Sequence, residues 1–213
     1  METGRGPGLR AITRAIARDE VRARISRTAE ELFLTRGYDE TTVDQISAGV
    51  GMSQRSFFRY FASKEDIVLD NYDRLGHDLL ARLSARPETE SDWVALRRAF
   101  DVVTEQLADP EVRGHGTAVQ RLVDSTPGLL APYLQRLDGI QQRMTGRLAE
   151  RAAARGRAAD PVVLRATVGA AFACLQAAIS HACGNEPGAL ADLLDSAMDS
   201  VRGAEVVTAE VVT

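Results

Sequence analysis

Thr41–Lys64 reads TTVDQISAGVGMSQRSFFRYFASK, and nearly every residue in it has a local structural meaning. Thr42 followed three residues later by Gln45 is a capping box, so a helix starts there. That helix is short, because Gly49 and Gly51 follow within nine residues. Gly51 can take the left-handed conformation that a sharp turn between helices requires. Ser53 caps a second short helix, expected over 54–61. Ser63, with Glu65 and Asp66 behind it, caps a third. Two short helices joined through Gly51 make a helix-turn-helix, whose second helix lies in the major groove with its first residues on base edges.

The second helix divides by face. Phe57 and Phe61 are four residues apart and point inward with Ile46, Val50 and Met52. Gln54, Arg55, Ser56 and Arg59 point outward. A glutamine and an arginine on the first turn suit bidentate pairing with adenine and guanine edges respectively. Phe58 and Tyr60 are expected to flank the groove, partly exposed. Ser53, Thr42 and Lys64 are placed to hold phosphates, helped by the positive ends of two helix dipoles.

Outward from this segment the helical period runs through the whole chain, and the alternation of a strand is nearly absent. The fold is therefore expected to be all-α. Proline marks the joints: Asp109-Pro110, Thr126-Pro127 and Asp160-Pro161 each place a polar cap before a proline at the first helical position. Nine helices are expected, near 19–36, 43–50, 54–61, 64–85, 92–108, 111–125, 127–155, 161–183 and 188–202. The domains that follow are a flexible basic arm over 1–18, a DNA-binding domain over 19–64, a ligand-binding and dimerisation domain over 65–202, and a tail over 203–213. The tail repeats Ala-Glu-Val-Val-Thr, whose valines favour extended structure.

Net charge is −4, which by itself announces no nucleic acid. It hides a split: Met1–Lys64 carries +3 and the remainder −7, as for an anion-binding module joined to a body with another purpose. Cys174 and Cys183 are too few for a disulfide framework or a cysteine-rich zinc site. No eighteen-residue run is both uncharged and apolar throughout and the start is polar, so neither a membrane span nor a secretory leader is expected. A cytoplasmic protein follows.

The run from Ile25 to Val68 resembles the DNA-binding domain of the TetR family of bacterial transcriptional regulators. The resemblance is carried by Ile25, Ala29-x-x-Leu32-Phe33, Gly37-Tyr38, Thr41-Thr42-Val43, Ile46, Gly51-Met52-Ser53, Phe57-Phe58-Arg59-Tyr60-Phe61 and Ser63-Lys64-Glu65. It implies that Thr42 and Lys64 contact phosphates and that Gln54, Arg55, Ser56 and Arg59 face the bases. Tyr60 stands where the family has an aromatic or histidine at the DNA surface. Phe58 replaces the family's usual tyrosine, so that residue's hydroxyl contact to phosphate is absent, and the basic arm is available to compensate. Ser47 replaces a small apolar residue, and its hydroxyl is expected to bond the carbonyl one turn back.

The same resemblance implies an all-helical regulatory domain, a homodimer and a small-molecule pocket in each subunit. Ala166–Ile179 supports the dimer independently, since only Thr167 and Gln176 in it are polar, and such a helix is buried on more than one side. Its small residues Ala166, Gly169, Ala170, Ala173 and Ala177 share one face. With Leu190, Leu194, Ala197 and Val201 they are expected to form a four-helix bundle with the symmetry mate. Leu79, Trp93, Phe100, Val103, Val119, Leu122, Met144, Phe172 and Gln176 are candidate pocket linings, though an ordinary core would use the same residues. Near Thr126-Pro127-Gly128-Leu129, and in the long arginine-bearing helix after it, the body is similar to the subgroup whose regulatory domain binds acyl-CoA-like ligands.

The expected function is a ligand-responsive repressor that binds a palindromic operator as a homodimer and is released by a small, largely apolar effector. A non-specific architectural DNA binder and a TetR-like activator are the alternatives. No catalysis, metal or cofactor is expected: His77, His115 and His181 lie on separate helices, outside any zinc-ligand spacing or nucleophile elbow.

Overall fold

The computed structural model describes residues 9–182 and 189–209, and every element among them is a helix. In chain order these are α1 (Leu9–Arg36), α2 (Val43–Val50), α3 (Gln54–Phe57), α4 (Lys64–Ser84) and α5 (Asp92–Ala99). Then come α6 (Asp101–Ala108), α7 (Pro110–Ser125), α8 (Pro127–Ala154), α9 (Pro161–Ala182) and α10 (Ala189–Ala209).

Most boundaries fall where the sequence places them, and four differ. The single helix expected over 92–108 is two, α5 and α6, because the chain tightens at Phe100 (φ −71°, ψ −8°). The apolar stripe of Trp93, Leu96, Phe100, Val103 and Leu107 keeps its helical spacing across this step, since Phe100 N–H still bonds Leu96 O and Thr104 N–H still bonds Phe100 O. Helix α3 stops at Phe57 instead of reaching residue 61; tighter turns follow, with Tyr60 N–H bonded to Phe57 O at 2.8 Å. The first helix begins at Leu9, so half of the segment expected as a flexible arm is helical. At the other end α10 reaches Ala209, so the first copy of the repeat is helical and not extended, and the last residues lie outside those described.

The chain divides into two compact units. One comprises the described residues up to Asp70 together with Leu122–Leu129; the other comprises Asn71–Arg121 and the described residues from Leu130 onward. The division therefore cuts α4 after Asp70, a little beyond the boundary expected after residue 64.

The first unit has a small core: Ile25, Ala29 and Phe33 of α1, Ile46 and Val50 of α2, Phe57 of α3, then Phe61, Ile67 and Leu69. Helices α1 and α2 approach closely enough that a Cβ on Gly49 would lie 2.8 Å from Thr28 Cγ2. Phe57 and Phe61 pack with ring centroids 6.0 Å apart.

The second unit is built on a larger core from α4, α5, α6, α8, α9 and α10, with Leu79, Leu96, Phe100, Met144, Phe172 and Leu194 among its members. Gly76 lets α4 meet α8, since a Cβ there would lie 2.7 Å from Ile140 Cγ1. Arg151 is fully buried and donates to the carbonyls of Arg86 and Pro87 at 2.9 Å each and of Glu90 at 3.3 Å. It thereby satisfies the backbone of the turn between α4 and α5, which has no helical partners.

One helix among the described residues, α9, is long and apolar enough to cross a membrane by length and composition, although no eighteen-residue run in it is apolar throughout. In the fold it packs against α10 and α5 and supplies Val168, Ala171, Phe172 and Leu175 to the core.

Candidate nucleic-acid interface

The helix-turn-helix forms as its caps dictate. Gln45 N–H bonds Thr42 Oγ1 at 3.2 Å, and Thr42 N–H bonds Gln45 Oε1 at 3.0 Å, completing the capping box. Gly51 closes α2 at φ +77°, a conformation costing other residues roughly 1–2 kcal/mol. Ser53 Oγ accepts from Ser56 N–H at 3.2 Å. Ser63 Oγ accepts from Asp66 N–H at 3.2 Å and opens α4.

This geometry buries Phe57 and turns Gln54, Arg55 and Arg59 to solvent, with Ser53 also exposed and Ser56 half-buried. Gln54 Nε2 donates to Asp44 Oδ1 at 3.1 Å, so a base would have to take that bond over. Phe58 is 52% exposed, its ring set edge-on to Phe57 at 5.4 Å, while Tyr60 is half-buried. Thr42 is exposed at the start of α2. Among the described residues, then, the structure brings Thr42, Ser53, Gln54, Arg55, Phe58 and Arg59 to the accessible side of one unit.

Lys64 is half-buried beside this surface. Its ammonium donates to Tyr38 O at 2.9 Å and Thr41 O at 3.3 Å, and lies 4.2 Å from the centre of the Tyr38 ring. Two of its three donors therefore serve turn carbonyls that no helix satisfies, and one is left over. Ser47 departs from its expected place: its hydroxyl is buried and has no hydrogen-bond partner, so the expected bond to the preceding turn is not made.

Residues that the sequence reading overlooked hold this surface in place. Arg22 donates to Tyr60 O and to Asp70, and its guanidinium lies 4.3 Å from the centre of the Phe61 ring. Arg18 Nη2 donates to Arg59 O at 3.4 Å. Tyr38 donates its hydroxyl to Glu65 Oε1 at 2.7 Å. Burial, then that bond to Glu65, pushes the Tyr38 phenol far above its ordinary range. Burial raises Glu65, but the bonds from Tyr38, its own backbone and Ser63 outweigh this and leave it lowered. Arg18 and Arg22 were legible as arginines on the same helical stripe as Ile25 and Ala29. The Tyr38–Glu65 bond joins residues 27 apart in sequence and carries no local signal.

The residues proposed to line a pocket separate. Leu79, Phe100, Val103, Met144 and Phe172 are buried in one core, with Phe100 and Phe172 edge-on at 5.2 Å. Trp93 packs against that core, and its indole N–H is buried without a partner. Val119 is buried on α7, whereas Leu122 belongs to the first unit. Gln176 is exposed and lines no interior, because it lies about 120° around α9 from the centre of the buried arc.

The residues proposed for the dimer also separate. Ala166, Ala173 and Ala177 are exposed on α9, and Gly169 and Ala170 are half-buried, all opposite the buried arc. Leu190 and Leu194 are instead committed to the subunit's own core at 8% and 0% exposure, since they face α9 of the same chain. Ala197 is half-buried and Val201 is exposed.

Residues 25–70 match the family "Bacterial regulatory proteins, tetR family", and residues 90–205 match "MftR C-terminal domain". The chain is 42% identical to the HTH-type transcriptional regulator TcmR of Streptomyces glaucescens, over 72% of this chain and 66% of TcmR. It spans 26–54% of the length of the other curated regulators it matches. Among solved structures, a TetR-family regulator from Syntrophomonas wolfei has the same fold at 17% identity, with a TM-score of 0.60 over 86% of this chain and 95% of that one. FadR of Thermus thermophilus, a TetR-family repressor solved with lauroyl-CoA, is 25% identical with a TM-score of 0.50, over 84% and 91% of the two chains. These relatives are transcriptional regulators and not enzymes, and this chain belongs to the TetR family of bacterial transcriptional regulators.

Proposed function

We propose that the protein is a cytoplasmic repressor that binds a palindromic operator as a homodimer and leaves it on binding a small, largely apolar effector. The observation that carries this reading is the capped α3, which turns Gln54, Arg55 and Arg59 to solvent while Phe57 is buried behind them. Side chains so held can meet base edges directly, with Thr42 and Ser53 beside them for phosphates. Two such units about 34–36 Å apart would read half-sites one helical turn apart.

The dimer reading rests on the outward face of α9, where Val162 and Val163 are 75% and 59% exposed beside Ala166, Ala173 and Ala177. Small side chains there permit close helix approach. On α10, Val201 is exposed and Ala197 half-buried, and both remain candidates for the same contact. Ala173→Glu should yield monomers by sedimentation, whereas wild type should sediment as a dimer; a monomeric wild type would overturn the reading.

The effector reading rests on the second unit. The lauroyl-CoA bound by FadR makes an acyl-CoA-like ligand the first candidate. The orphaned Trp93 N–H fits a ligand with an acceptor atom, because an unpaired buried donor costs roughly 1–3 kcal/mol. Release requires that the effector prefer a dimer whose reading helices are misplaced for DNA; moving 1:99 to 99:1 takes about 5.5 kcal/mol. Trp93 is the only tryptophan, so its fluorescence reports on this core alone. Lauroyl-CoA should shift that emission and dissolve the operator complex in a gel shift. Unchanged emission at saturating ligand would remove acyl-CoA from consideration.

A further inference from the structure

Every described side chain of α1 from Thr13 to Glu20 is exposed. Nothing in the described fold buries this stretch, and an unburied helix of this length is marginal in water. Its charges are nevertheless sorted. Arg10, Arg14, Arg18 and Arg22 recur every four residues, so each position lies only about 40° around the helix from the last. Asp19 and Glu20 lie at least about 120° from Arg14, on other faces.

The arginine row also has a fixed bearing on the reading surface. It continues the stripe of α1 that buries Ile25 and Ala29. One turn earlier, Arg22 grips Tyr60 O and Asp70, and one turn before that, Arg18 donates to Arg59 O. The same face therefore passes the outer end of the helix-turn-helix and runs on about 6 Å further to Arg14. Arg14 has no bonded partner among the described residues. Exposed guanidiniums aligned in this way, beside side chains that face DNA, fit a row of phosphates.

We propose that Arg14 and Arg18 form a second, sequence-independent DNA contact that holds the phosphodiester backbone flanking each half-site. It rests on the reading of α3 as the base-reading element and adds the contact that Phe58 cannot supply. Arg22 is a positioning residue for it, since its guanidinium is committed within the unit. The proposal accounts for an unpacked helical extension with segregated charge, which the helix-turn-helix leaves unexplained.

The test is fluorescence anisotropy of the full chain on its selected operator and on a random duplex of equal length, across a salt series. Wild type, Arg14→Ala and Arg14→Ala/Arg18→Ala are compared, with Gln54→Ala/Arg55→Ala as the base-reading control. Each arginine removed should make the slope of log K against log salt shallower by about 0.9 per bound protomer. Affinity should fall by the same factor on both duplexes, leaving the preferred sequence unchanged, and Arg14→Lys should restore the slope. Unchanged slopes in both arginine variants, with wild type still operator-specific, would overturn the proposal alone. So would a loss confined to the operator. Absence of wild-type binding to either duplex would overturn this proposal together with the reading it rests on. Because Arg14 packs on nothing described, loss of folding cannot imitate the expected result.

Discussion

In the first unit, Thr42, Gly51, Ser53 and Ser63 each settle one structural question within three or four residues. In the second, Arg97 reaches Asp195, 98 residues away, and Arg147 reaches Glu88, 59 residues away. The caps of the first unit are local signals, and these ion pairs of the second are not. The contrast extends to function. In the first unit a surface side chain is free for one task because caps and a small aromatic core do the structural work. In the second, the apolar side chains that would meet a ligand are the ones that hold the helices together.

The largest expected effect strikes the long-range unit. Arg151→Ala leaves the carbonyl of Arg86 without its donor and takes one of two donors from the carbonyls of Pro87 and Glu90, inside a closed core. Stability should fall by roughly 2–5 kcal/mol, the range for truncating a long buried side chain, with an orphaned carbonyl added. Urea unfolding followed by Trp93 fluorescence measures this directly. A loss under about 1 kcal/mol would mean that the turn between α4 and α5 needs no internal donor.

A middle-sized effect tests the local unit. Gly51→Ala forces a side chain onto a backbone at φ +77° and should cost roughly 1–2 kcal/mol. It should weaken DNA binding while leaving the Trp93 signal of the other unit unchanged. A variant as stable as wild type would show that the turn can relax to ordinary geometry, and the local reading would lose its hinge.

The smallest effect concerns pH. Glu65 is held below its ordinary value with help from the Tyr38 hydroxyl. A carboxylate lowered in the folded state adds stability above the ordinary carboxylate range, and that stability is lost as pH falls through the lowered value. Tyr38→Phe should therefore reduce stability at neutral pH slightly and flatten the acid limb of the stability curve. Parallel wild-type and variant curves would remove Glu65 from the acid response.

This contrast also explains what could be read beforehand. The capping box at Thr42, the left-handed Gly51 and the inward Phe57 and Phe61 are consequences of neighbouring residues, and they stand where the sequence puts them. The bonds from Lys64 to the carbonyls of Tyr38 and Thr41 carry no local signal, because no spacing rule shows which turn carbonyl a side chain 26 or 23 residues away will reach. Leu190 and Leu194 were misassigned because periodicity reveals an apolar stripe without revealing whose surface covers it. Gln176 was misassigned for a related reason, since its helix is apolar almost all round and the buried arc is set only by the fold. The break at Phe100 is invisible in a stripe whose spacing it does not disturb.

The central claim is that Gln54 and Arg55, at the start of α3, read bases. The most direct measurement selects bound sequences from a random duplex library, using wild type and Gln54→Ala/Arg55→Ala in parallel. Wild type should recover one palindromic site with half-sites about one helical turn apart. The variant should lose discrimination at defined positions within each half-site, each costing about 1–3 kcal/mol, while still binding DNA in low salt. Recovery of the same site by both proteins, or salt-sensitive binding with no sequence preference in either, would contradict it.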